Sequence, residues 1–482
     1  MATLKNSFIS GVWYTGLSKY AGVFISIAVT AVLARALTPH DFGIVAIATV
    51  FIMVFSVVIT EGFSPAIIQN KQLADVDLRS INSFTYLMAI VLTGLYLLAV
   101  PLIANYYENE VLGLVLRIYA LSVFFSVINI VPNALLMKAK RFKFIAKRSL
   151  CVQLVLGVVS IVTVYRGAGI YALLINPVGG SILVFMVSYA ANPVGWGRVR
   201  RASVAKIFSY SVFQMLYTAL HIGYRNIDKL LIGKYMGTIN LGYYEKSYRL
   251  MMLPLENVSS VIMPVLHPLL SEYQNNKDYL WDAYKKMIAF MSEFCFIASV
   301  ALFFLARFII LLLFGDQWEP AVPVFQILSL SVCFQLMQAP MGAIFLSANA
   351  VRQLMLSTLW IFLLMTGGIV LAITLGIFLL VPVVVVIIFL LGFVICQRSM
   401  VRIFGRRSRE VYWLMLPHIA YAAILFPILY GVSYVTGGDF LWQGIMVILS
   451  VLLYLSVLLY TDRMPQTHRF VIGLLKKRRR GG

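Results

Sequence analysis

Gln214, Thr218, His221, Arg225 and Asp228 are spaced 4, 3, 4 and 3 residues apart. On a helix this puts an amide, a hydroxyl, an imidazole, a guanidinium and a carboxylate on one face. Such a set can hydrogen-bond an anionic or sugar-bearing ligand, hold an internal ion pair between Arg225 and Asp228 at i, i+3, or report protonation through His221. The surrounding stretch, Lys206 to Gly233, is otherwise apolar enough to cross a bilayer, where each ionised group near a helix centre costs roughly 2.5–3.5 kcal/mol. A partner helix or a ligand must compensate. The next helical stretch adds Glu245 and Arg249 at i, i+4 and Glu256 seven further on, which read as an interhelical ion-pair set or as a coupling site. Lys19 lies about 11 residues into the first apolar segment, roughly 16 Å from its start and too deep to snorkel easily.

The elements that must position these groups are transmembrane helices. The chain has 482 residues, 61% hydrophobic and 12% charged, with mean hydropathy +0.91, far from the roughly one-quarter charged usage of soluble domains. A window of about 19 residues yields fourteen spans, near 8–34, 41–62, 81–103, 111–137, 148–166, 169–191, 206–232, 241–270, 286–309, 320–347, 354–376, 378–398, 411–436 and 440–461. The first reads as a retained helix and not a signal peptide. With both termini cytoplasmic, 29 of the 39 lysines and arginines fall in inside segments, as the positive-inside rule requires. The net charge of +21 therefore reports membrane topology, and nucleic acid is not implied. The segment MKAKRFKFIAKR and the tail KKRRRGG suit anionic lipid headgroups, with a protein partner for the tail as the alternative. No connection exceeds about 20 residues, which leaves no room for a soluble catalytic domain. Catalytic, metal-ligating and cofactor-binding sets are not expected. Cys151, Cys295, Cys333 and Cys396 read as buried small hydrophobes. Pro132, Pro254, Pro264, Pro340 and Pro382 are expected to bend their spans.

The chain also repeats itself. At an offset of 199, Arg35 meets Lys234, Phe42-Gly43 meets Leu241-Gly242 and Pro65 meets Pro264; at 209, LSVFF (121–125) meets LSVCF (330–334). This implies two six-helix lobes, 1–200 and 201–405, followed by helices 13 and 14 with a basic tail, 406–482. Shifting the polar stripe back by 199 lands on Thr15, Lys19, Gly22, Ser26 and Val29. The lobes are therefore expected to meet along these faces around a positively lined cavity.

The runs LARALTPHDFGIVAIATVFI (33–52), EGFSPAIIQ (61–69), PLIANYYENE (101–110), DKLLIGKYMGTINLGYYEKSYRL (228–250) and MLPLENVSSVIMPVLHPLLSEYQ (252–274) resemble the Wzx-type polysaccharide flippases. The resemblance is to their colanic acid exporter-like branch, within the multidrug/oligosaccharidyl-lipid/polysaccharide superfamily. It implies residence in the bacterial inner membrane and translocation of an undecaprenyl-pyrophosphate-linked oligosaccharide by alternating access. It also implies pyrophosphate contacts at Lys19 and Arg225, with Arg249 as a further candidate. From the stripe itself His221 and Gln214 are added to the expected substrate cavity, and Asp228, Glu245 and Glu256 are coupling or ion-pair candidates. A proton gradient, a sodium gradient or the sugar gradient could drive the cycle. A monomer is expected, with polysaccharide polymerase machinery as a candidate partner. A multidrug or cation antiporter of the same superfamily is the nearest competitor, and a membrane-embedded polymerase or ligase a more distant one.

Overall fold

The computed structural model describes residues 2–70, 72–271, 273–274, 276–435 and 440–460, and every regular element among them is helical. The first compact unit comprises Met1–Gly242 and Leu313–Gln317, the second Tyr243–Leu312 and Trp318–Gly482. The first unit thus includes the seventh long helix, whereas the internal repeat draws its boundary before that helix.

In the first unit α1 (Ala2–Ala36) is followed by α2 (Pro39–Ile52), a π-helical stretch (Met53–Val57) and α3 (Val58–Gln69), which together form one span. Then come α4 (Asp75–Tyr107), α5 (Glu110–Ile128), α6 (Ile130–Lys138) and α7 (Phe142–Tyr165). The short α8 (Ala172–Leu174), a π-helical stretch (Ile175–Gly179) and α9 (Gly180–Ala191) make the sixth span, and α10 (Arg201–Tyr235) closes the unit. Local chemistry sets the boundaries. Thr38 and Asp41 form a capping box with Pro39 at the first helical position of α2, satisfying backbone donors that the first turn leaves open. Asn109 caps α5 by accepting from Leu112 N at 2.8 Å. Phe63, Ile67, Ile81, Ala89, Val131 and Ile207 are buried together in one cluster, so α3, α4, α6 and α10 share a core.

In the second unit α11 (Thr238–Ser271), whose first turn still belongs to the first unit, leads to α12 (Lys277–Phe314). Next come α13 (Ala321–Ser329), α14 (Val332–Gln338), α15 (Met341–Ser347), α16 (Val351–Thr374), α17 (Leu380–Phe404), α18 (Ser408–Val435) and α19 (Phe440–Tyr460). The last two helices dock on α12, where Ile297, Val300 and Phe304 bury against Leu425, Leu429, Val447 and Tyr454. His418 Nδ1 and Tyr454 OH approach to 2.7 Å inside this contact.

Among the described residues, ten helices are long and apolar enough to span a membrane, or eleven if the pair Ala321–Ser329 and Val332–Ser347, bent by 42°, is one span. This is a multi-pass membrane protein. Several local expectations change. Asn129 breaks the fourth predicted span just before Pro132, and Pro340 stands at the start of α15. Pro382 lies in the first turn of α17, where its missing N–H removes no helical bond. Pro254 and Pro264 do lie inside a helix, α11, and prolines inside other helices are Pro65, Pro101, Pro417 and Pro427. Cys151 is exposed, unlike the other three cysteines, and all four are free; apolar periodicity in a fully hydrophobic helix does not separate a lipid-facing position from a packed one.

Candidate functional site

The polar stripe rides on α10, which is fixed near its start by a compact set of charges. Asp77 of α4 accepts from Ser203 Oγ at 2.7 Å and from Lys206 Nζ at 2.6 Å, and Asn70 Nδ2 reaches Lys206 O at 3.4 Å. At the far end of α10, Tyr107 OH donates to Leu230 O at 3.1 Å and Lys234 Nζ to Glu108 Oε1 at 2.8 Å. Glu108 lies outside the spans, and its hydrogen bond with Lys234 lowers its carboxyl pKa from the ordinary 4.5.

Between these anchors the stripe is graded in exposure. His221 is exposed, Arg225 half-buried and Asp228 only 3% exposed. Tyr224 organises the middle: its ring lies 6.3 Å from the His221 ring, edge to face, and 5.9 Å from Arg225 Cζ. A guanidinium against an aromatic ring keeps its charge in a half-buried setting without losing its donors. Asp228 Oδ1 accepts the backbone N–H of Lys229 at 2.8 Å, and Asn226 turns back onto Ile222 O at 2.9 Å. The Gln214 side chain lies outside the described residues.

The repeat-related face of α1 is engaged differently. Lys19 is half-buried. Gln153 Nε2 of α7 donates to Gly22 O at 2.8 Å, and a Cβ on Gly157 of α7 would meet Val29 Cγ2 at 2.7 Å. Two of the five register-matched positions on α1 therefore pack on α7. In α11, Arg249 pairs with Glu256 at 3.6 Å, both side chains about half exposed. This ion pair lies within one helix at i, i+7, where the sequence suggested an interhelical set; two turns bring the same face round again. Glu245 is half-buried on α11 beside Lys246, which is 8% exposed.

The repeat does meet itself at one place. A Cβ added to Gly43 would lie 1.9 Å from Thr238 O, and one added to Gly242 would lie 2.0 Å from Pro39 O. At the offset of 199, Pro39 corresponds to Thr238 and Gly43 to Gly242, so the crossing of the first turns of α2 and α11 is its own image. Thr238 Oγ1 also contacts His40 Nδ1. Only glycine lets two backbones approach this closely.

Some buried polar contacts escaped sequence reading. Arg148, read as a membrane-surface cation, is 8% exposed, donating to Ser188 Oγ and to Asn133 Oδ1. Asp77 with Ser203 and Lys206 was likewise unread. Neither group could be read from periodicity, because Arg148 of α7 meets residues of α6 and α9, and Asp77 of α4 meets two residues of α10.

Residues 32–323 match the family of polysaccharide biosynthesis proteins. The chain belongs to this family. Relatives include an uncharacterized membrane protein in the cps region of Klebsiella pneumoniae, 24% identical over 72% of each chain. The lipopolysaccharide biosynthesis protein WzxC of Escherichia coli is 22% identical over 72% of this chain and 71% of its own. Succinoglycan biosynthesis transport protein ExoT of Rhizobium meliloti is 24% identical over 66% and 65%. The fold resembles that of the lipid II flippase MurJ, with TM-score 0.74, 16% identity and coverage of 93% of this chain and 99% of that one. A multidrug resistance MATE family transporter of the MOP superfamily follows the same fold at TM-score 0.61, with 15% identity, 79% and 95% covered.

Proposed function

We propose that the protein moves a polyprenyl-pyrophosphate-linked oligosaccharide, the undecaprenyl form in bacteria, from the cytoplasmic to the periplasmic leaflet of the inner membrane by alternating access. The observation that carries this reading is membership of the polysaccharide biosynthesis family over residues 32–323. A fold shared with a lipid II flippase supports it. So does a cationic, hydrogen-bonding stripe on α10, the kind of surface a diphosphate needs when it leaves water.

In this reading fourteen spans place both termini in the cytoplasm, α10 and α11 being the two long polar helices. Arg225 presents its planar fork to the pyrophosphate, with His221 beside it, Lys19 and Arg249 as further cationic contacts, and Gln214 toward the sugar. Asp228, Glu245 and Glu256 are the acids available for coupling to a proton or sodium gradient. No catalytic step and no cofactor are assigned.

Mass spectrometry of lipid co-purifying with the protein tests this directly. A polyprenyl diphosphate saccharide is the expected species. Recovery of organic cations in its place would favour a cation antiporter, the reading that the buried carboxylate of Asp228 in α10 supports.

A further inference from the structure

We propose that the start of α18 carries a binding site for an anionic phospholipid of the membrane leaflet. Ser408, Arg409, Tyr412, Trp413 and Leu416 line a shallow cavity of about 340 Å³. Their spacing of 1, 3, 1 and 3 residues places them on one side of the helix. The Arg409 guanidinium sits 5.6 Å from the Trp413 ring centroid. Trp413 and Tyr412 are 57% and 39% exposed, and the exposed apolar face continues through Leu416 and Ile419.

The nearby acids are engaged elsewhere. Arg406 pairs with Asp278. Glu410 accepts from Trp281 Nε1 at 3.0 Å and lies 3.5 Å from Lys285 Nζ. Arg407 and Arg409, both exposed, have no carboxylate partner among the described residues. Because α18 is long and apolar enough to span, its first turn stands at a membrane–water boundary. A cation, an indole and a phenol at that level followed by an apolar strip match the layers of a phospholipid: phosphate, glycerol ester and acyl chain. Arg398, Arg402, Arg406, Arg407 and Arg409 crowd this boundary, so charge complementarity selects an anionic headgroup over a zwitterionic one. A guanidinium stacked on indole keeps its in-plane donors for a phosphodiester. Soluble phosphate would satisfy the charge alone and leave the aromatic and apolar parts unused.

The test uses the full chain, delipidated and then equilibrated with phosphatidylcholine or phosphatidylglycerol, with retained lipid counted by native mass spectrometry. At least one phosphatidylglycerol is expected to be retained in preference to phosphatidylcholine. Arg409→Gln should lower that preference about fivefold, while Arg166→Gln should leave it unchanged. Brominated phosphatidylglycerol should quench a fluorescence component that disappears in Trp413→Phe, and millimolar inorganic phosphate should not displace the lipid. Equal retention of the two lipids, an unaltered Arg409→Gln, a quenched amplitude undiminished in Trp413→Phe, or displacement by inorganic phosphate would each overturn the proposal.

Discussion

α1 and α10 begin the two halves of the repeat and carry stripes in the same register, yet they are held by different neighbours. α1 packs on α7 of its own half, through Gln153 on Gly22 and Val29 against Gly157. α10 packs on α3 and α4 of the other half and belongs to their compact unit. It is anchored at one end by Asp77 and at the other by Glu108 and the Gly43/Gly242 crossing that follows it. The lesson is that equal register specifies which residues share a face, while the neighbour a face meets depends on small residues and charges outside the stripe. A helix fixed at both ends and graded from exposed His221 to buried Asp228 can present Arg225 reproducibly.

The largest effect should come from the crossing that fixes α10. Valine at Gly43 or at Gly242 puts side-chain carbons onto a backbone oxygen, which cannot rotate away. Each substitution should cost about 3 kcal/mol or more, read as a lower melting temperature of the purified protein, whereas Gly94→Val in open space should be far milder. A mild Gly43→Val would break the comparison. On the α1 side, Gly157→Val meets only the tip of Val29, so a loss of about 1–3 kcal/mol should be partly restored by adding Val29→Ala. No side-chain truncation should rescue Gly43→Val. Smaller again is Asp77→Asn, which removes the charge that Lys206 pairs with and leaves one acceptor oxygen where Ser203 and Lys206 use two. It should lower the melting temperature by less than either glycine change and leave Lys206→Gln with little further effect in the double variant.

The smallest effect is a pH dependence. Lys234 lowers the Glu108 pKa below 4.5. The pair's contribution is therefore fully present above about pH 4.5 and lost as pH falls through the lowered value. Melting curves should show a small acid-side loss that flattens in Glu108→Gln. It should stay small because the Glu108 side chain is 82% exposed and solvent-screened.

Much of this was legible in the chain. Length and hydropathy gave an all-helical membrane protein, and the repeat paired Phe42-Gly43 with Leu241-Gly242. That the repeats touch at these glycines was not read, because the meeting was expected along the stripes. The α10 stripe was legible as a shared face because its residues are 3 and 4 apart in one helix. What could not be read was the partner of each face. Arg148 meets Asn133 and Ser188 from two other helices, and Asp77 meets Ser203 across more than a hundred residues; local patterning holds no trace of either. Similarly, Arg249 had Glu245 and Glu256 on the same side, and only side-chain geometry picks Glu256.

The central claim is that Arg225 on α10 carries the anionic group of the cargo. It is tested by reconstituting the protein in liposomes with a fluorescent polyprenyl-pyrophosphate oligosaccharide on one leaflet and following its appearance on the other. Arg225→Ala should slow the transfer about tenfold or more, the loss expected for one charge-assisted hydrogen bond, with Lys19→Ala slowing it less and the melting temperature of both close to the parent's. Transfer by folded Arg225→Ala at the parent's rate would contradict the account.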